Sequence, residues 1–113
     1  MKEIKAYIKP HRLTDVTLAL QEIKGLSGMS ISEVKGFGRG RAKTAPDRIT
    51  EDFLNFIPRI KVEVVCRDEL VEEVISTIER HAHTGIRGDG KIFVSEVDAA
   101  VRISTGERGE SAI

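Results

Sequence analysis

The pattern that most constrains this chain is a strand, helix, strand rhythm that occurs twice. Residues 2 to 9 alternate, with Ile4, Ala6 and Ile8 on one face and Lys5, Tyr7 and Lys9 on the other, the period of a half-buried strand. Beyond Pro10, Leu13, Val16, Leu20 and Ile23 recur at helical spacing, Gly25 and Gly28 punctuate the helix end, and Met29, Ile31 and Val34 mark a second strand. The rhythm then repeats after Pro58. Ile60, Val62 and Val64 alternate into Val65 and Cys66, acids at Asp68 and Glu69 open a second helix, and Val71, Val74, Ile75, Ile78 and Ala82 form its stripe. Ile92, Val94 and Val97 build the last strand, with Val101 or Ile103 as its furthest extension.

Two such units, each joining its strands through a crossover helix, place both helices on one face of a four-stranded antiparallel sheet. The fold expected is therefore α+β and ferredoxin-like, a βαββαβ order in one domain spanning residues 1 to 113. The opposite sheet face carries Tyr7 and Val65 among charged residues. It is expected to be an oligomer surface.

Composition closes several function classes. Eighteen basic and eighteen acidic residues give a formal net charge of zero, so nothing pulls the whole molecule towards nucleic acid or anionic lipid. Cys66 is the only cysteine, which excludes an intrachain disulfide; with no hydrophobic signal segment at the start, the expected location is cytoplasmic. No apolar run approaches a membrane span. His81 and His83 form an H-x-H pair with no third ligand at zinc-like spacing, and they read as exposed residues near a helix end.

Two glycine turns remain. Lys35 to Arg41 reads KGFGRGR, within a stretch where Lys35, Arg39, Arg41 and Lys43 occur without an acid, and Thr84 to Lys91 reads TGIRGDGK. Each combines bare backbone amides with a cation, the means of holding a phosphate without a metal cage; together they read as two walls of one anion site. The plain alternative is that the glycines only permit tight reversals. From Gly38 to Asn55 hydrophobic periodicity disappears among Pro46, Asp47, Arg48, Glu51 and Asp52. A loop that long in so small a domain is usually functional.

Known phosphate motifs do not fit these turns. A dinucleotide fingerprint requires a helix directly after the glycines, and a Walker motif requires G-K-[ST] at fixed spacing. An RNA-recognition module shares the element order, but it needs aromatics after K-G-F-G, where this chain has Arg39, Gly40, Arg41 and Ala42. No general base is positioned for catalysis. The chain reads as a binder of a small anion, with no nucleic acid and no enzyme activity.

Here the residues resemble a known family, the PII signal-transduction proteins, over nearly the whole chain. The likeness rests on the K-G-F-G-R run, on Thr84 to Val94 (TGIRGDGKIFV), on Arg102 to Glu107 (RISTGE), and on the ending Ala112-Ile113. The resemblance implies a homotrimer with sheets inward, ATP or ADP in each cleft between subunits, and a projecting T-loop, about residues 38 to 55, that engages an ammonium channel, another transporter or a metabolic enzyme. It implies that Gly28 and Ser30 line the adenine or ribose end with Glu63 and Val65 beside the base. It further implies that phosphates meet Gly36, Phe37, Gly38, Arg39, Gly88, Asp89, Gly90, Lys91 and, from a C-terminal loop over 102 to 113, Arg102.

The chain departs from that family at ligand and signalling positions. Gly40 stands where the family has a glutamine that helps hold Mg²⁺ beside 2-oxoglutarate, so those two ligands lose that side chain. Arg59 replaces the lysine that pairs with the oxoglutarate carboxylate, and Ser104 replaces a second phosphate-binding arginine, which favours competition by ADP or AMP. Asp52 matches the uridylylated tyrosine, excluding that modification there, and Thr50 near a phosphorylated position reads as a solvated loop residue. The expected function is an adenine-nucleotide-sensing regulator of nitrogen metabolism. Its alternative is a divergent sensor that pairs an adenylate with another small anion, such as bicarbonate, and regulates carbon or anion transport.

Overall fold

The computed structural model describes residues 1–36 and 56–113. Four strands, β1 (Lys2–Ile8), β2 (Ser30–Gly36), β3 (Ile57–Cys66) and β4 (Lys91–Glu96), form one antiparallel sheet in the order β2-β3-β1-β4. Helices α1 (Leu13–Gln21) and α2 (Val71–Ala82) supply the two crossovers, each entered through a short 3-10 turn. This is the ferredoxin-like arrangement that the doubled rhythm predicts.

The alternation in β1 and β3 fixes which face is covered. Ile4, Ala6 and Ile8 pair across the ladder with Val64, Val62 and Ile60, and all six are buried. Val16 and Leu20 from α1, Ile23 from the turn just beyond it, and Val74, Ile78 and Ala82 from α2 close the same core. Each large aliphatic buried there contributes about 1.5–3 kcal/mol, so the central strands carry the stability. The edges carry less: Ile31 in β2 and Val94 in β4 remain 50% and 41% exposed.

β4 stops at Glu96 rather than running on to Val101 or Ile103. Val97 donates to the Met1 carbonyl as the chain leaves the sheet, and Val101 forms only an isolated bridge with Arg108. Val97, Val101 and Ile103 mislead because β-branched residues persist in the sequence beyond the last ladder pair, Lys2 with Glu96. On the open face of the sheet the rings of Tyr7 and Phe93 meet edge to face, their centroids 6.3 Å apart. Phe93 is more than half exposed there.

Candidate functional site

The second glycine turn is anchored to the end of β1. Lys9 Nζ donates to Thr84 Oγ1 at 3.0 Å and to the Ile86 carbonyl at 3.0 Å, and it lies 3.1 Å from Asp89 Oδ1. Asp89 in turn accepts from the Thr84 hydroxyl, from Thr84 N–H at 2.9 Å and from Gly85 N–H at 3.1 Å. Hydrogen bonds from the Thr84 hydroxyl and N–H, with Lys9 and Gly85 behind them, hold its carboxyl well below the usual carboxylate range. Gly90 sits so close to β1 that a Cβ there, at φ +104, would lie 1.7 Å from the Tyr7 carbonyl oxygen. No side chain fits.

The rest of this end is basic. Arg59, where β3 begins, donates to the Pro58 carbonyl at 2.9 Å and reaches the Gly88 carbonyl at 3.4 Å. Gly36, the last residue of β2, pairs with Ile57, two residues before Arg59. Lys91 is exposed and has no ion-pair partner among the described residues. The sheet thus brings Gly36, Gly88, Gly90 and Lys91 to one end, with two further cations, Lys9 and Arg59, bound into the turn.

At the other end of the sheet, Glu3, Ser27, Gly28, Met29, Ser30, Glu63, Val65 and Ile113 surround an open pocket of about 450 Å³. This pocket gathers all four residues expected at the adenine end. A Cβ on Gly28 would meet nothing within 4 Å, so the backbone is bare where a flat ring could approach. Arg102 belongs to this end too, for it donates to the Ser111 carbonyl at 3.3 Å, and Arg67 just beyond β3 pairs with Glu110 at 3.6 Å.

The expected site is therefore brought together only in halves. Arg59, against the glycine turn, and Arg67, against the C-terminal segment, are eight residues apart in sequence, about 26 Å along an extended strand. One phosphate tail does not meet Lys91 and Arg102 of the same chain across that length. Phe37, Gly38, Arg39, Gly40, Thr50 and Asp52, with the loop over 38 to 55, lie outside the described residues. Asp89, expected to face a ligand, turns its carboxylate into the turn's own amides and Lys9 instead. Among the described residues no cluster of His, Cys, Asp and Glu is arranged to hold a metal ion.

The family model for "Nitrogen regulatory protein P-II" matches residues 1–107. The chain belongs to the P-II family. It is 50% identical over its full length to the nitrogen regulatory protein P-II of Azospirillum brasilense, covering all of that protein. The P-II protein of Haemophilus influenzae is 51% identical and nitrogen regulatory protein P-II 1 of Escherichia coli K12 48% identical, again over the whole of both chains. This P-II chain is thus a signal-transduction regulator in nitrogen metabolism and not an enzyme. No helix among the described residues is long and apolar enough to cross a membrane.

Sequence reasoning placed Thr84 in the turn but missed Lys9, whose bond to Thr84 fixes the turn from within. Lys9 looked like one more outward residue of an alternating strand. The one available signal was that Lys9 immediately precedes Pro10, where a strand ends and a side chain is released to reach beyond it.

Proposed function

We propose that this P-II chain senses adenine nucleotides at a site completed by two copies of itself. The glycine turn and loop root of one copy, Gly36 with Phe37, Gly38 and Arg39 and then Gly88, Gly90 and Lys91, meet the phosphates. The pocket of its neighbour, Gly28, Ser30, Glu63 and Val65, takes the base and ribose, and that neighbour's Arg102 closes on the phosphates. Asp89 acts inside the turn.

The observation that carries this reading is the separation of the two half-sites on one sheet. The residues fit the ligand in chemistry: a triphosphate carries about four negative charges, answered by charge-assisted bonds from Arg39, Lys91 and Arg102 and by turn amides. The open face with Tyr7 and Phe93 is the surface on which copies associate, and the family assembles as trimers. Binding at the loop root shifts the population of the loop over 38 to 55, through which a target transporter or metabolic enzyme is gripped or released. Only a difference in affinity between loop states transmits that signal.

The test is mass in solution together with calorimetric titration of ADP, ATP and AMP. A trimer that binds adenylates, and loses affinity on Arg39→Ala, supports the reading. A monomer that ignores every adenylate at millimolar concentration contradicts it.

A further inference from the structure

We infer that Glu107 is a positioning residue for phosphate binding, acting through Arg102 rather than on the ligand. The inference rests on the reading that Arg102 meets the phosphates. Ser104 stands near Arg102 in the same loop and offers no guanidinium, so on that reading the orientation of Arg102 decides what this contact contributes.

The loop is closed by its own backbone. Val101 bridges to Arg108, Arg102 N–H donates to the Glu107 carbonyl at 2.9 Å, and Gly106 N–H donates to the Arg102 carbonyl at 2.7 Å. Inside that ring Arg102 Nη1 donates to Glu107 Oε1 at 3.2 Å while Nη2 takes the Ser111 carbonyl. The Glu107 carboxylate is itself held: the Thr105 hydroxyl donates to the same oxygen at 3.0 Å, and Glu107 N–H donates back to Thr105 Oγ1 at 3.2 Å. A guanidinium offers five N–H donors in a fixed fork, so two anchors leave the remainder of the fork aimed and unspent. Arg102 is 44% exposed and can offer it outward.

A carboxylate this near a phosphate site has two opposed effects. Its charge repels the ligand, while its hydrogen bond removes the entropy cost of ordering a long side chain on binding. Glu107→Gln keeps an oxygen that accepts from Arg102 but removes the repulsive charge and roughly halves the strength of the charge-assisted bond, so it tightens ADP if repulsion dominates and loosens it if positioning dominates. The geometry points to positioning, because the carboxylate is already committed to Arg102 and Thr105.

The experiment is calorimetry with adenosine, AMP and ADP on Glu107→Gln, Thr105→Val, Arg102→Ala and the Glu107→Gln/Arg102→Ala double variant, each checked for assembly. Arg102→Ala is expected to weaken ADP about ten- to a hundredfold. Glu107→Gln is expected to weaken it about two- to tenfold, the range for immobilising one rotamer-rich side chain, and Thr105→Val by less. Adenosine affinity stays unchanged, AMP is affected less than ADP, and the Glu107→Gln loss vanishes once Arg102 is alanine. Unchanged or tighter ADP binding by Glu107→Gln, with Arg102→Ala still weakened, overturns the inference and leaves the nucleotide site standing. Unchanged ADP binding by Arg102→Ala removes both Arg102 and Glu107 from the site. If Glu107→Gln does not assemble, Thr105→Val is judged by the same criteria.

Discussion

The two ends of the sheet are built on different principles. At the glycine-turn end, a lysine only 14% exposed and a carboxylate fix the turn through several bonds, and a backbone carbonyl lies where a Gly90 side chain would be. At the pocket end, the backbone at Gly28 is open and the C-terminal segment is held by surface pairs, Arg67–Glu110 and Arg102–Glu107, each partner about half exposed. The first is a rigid cradle finished within one chain. The second is an open half that a partner surface and a ligand can complete.

Substitutions should therefore hurt the two ends unequally. Gly90→Ala is expected to cost on the order of 3 kcal/mol or more, because the obstacle is backbone with nothing flexible to yield, and to lower Tm by about ten degrees or more. A thermal midpoint within about two or three degrees of wild type would mean that the turn is not seated on Tyr7. Lys9→Met comes next: it strips the turn of its cross-link to β1 and should cost about 1–3 kcal/mol in urea unfolding. On the proposed site its effect on ADP affinity should exceed its effect on adenosine affinity, since it loosens only the half assigned to the phosphates.

Asp89 sharpens the contrast through pH. Its folded pKa is depressed by Thr84, Lys9 and Gly85, so its contribution is fully present above the unfolded value of about 3.9 and is lost as pH falls towards the folded one. The stability difference between wild type and Asp89→Asn should be constant from about pH 5 to 7 and shrink below about pH 4 in urea titrations. A difference independent of pH would remove Asp89 from the turn's anchoring. The smallest effect belongs to the other end: Gly28→Ala should change stability by less than about 0.5 kcal/mol, and a larger loss in the dissociated chain would show that the pocket is not open.

Much of this contrast was hidden in the sequence for a physical reason. Periodicity reports which face of an element is buried, so Ile4, Ala6 and Ile8 in β1 and the stripe of α2 were legible, and the element order followed. Glycine-rich turns were legible as turns, and Gly28, Ser30, Glu63 and Val65, which line one pocket, were grouped by resemblance. What periodicity does not carry is the partner of a polar side chain distant in sequence. Lys9 meets Thr84 across 75 residues, and nothing local to either marks the pair. Asp89 was grouped with the ligand residues by resemblance, yet its carboxylate accepts from the Thr84 and Gly85 N–H groups of the same turn. The division of the site into halves depends on the length of β3, which separates Arg59 from Arg67, and on which distant segments pack at each of its ends, Gly88 against Arg59 and Glu110 against Arg67. Periodicity carries neither pairing.

The most direct measurement of the divided site is subunit mixing. On the proposed site, Lys91→Ala removes a cation from the turn half and Arg102→Ala one from the pocket half, so each variant alone should bind ADP weakly. Co-refolded together, some clefts pair the intact turn of one chain with the intact pocket of another, and calorimetry should recover a fraction of sites with wild-type ADP affinity. If the mixed assemblies bind ADP no better than either variant alone, the site is completed within a single chain and its division between two copies is refuted.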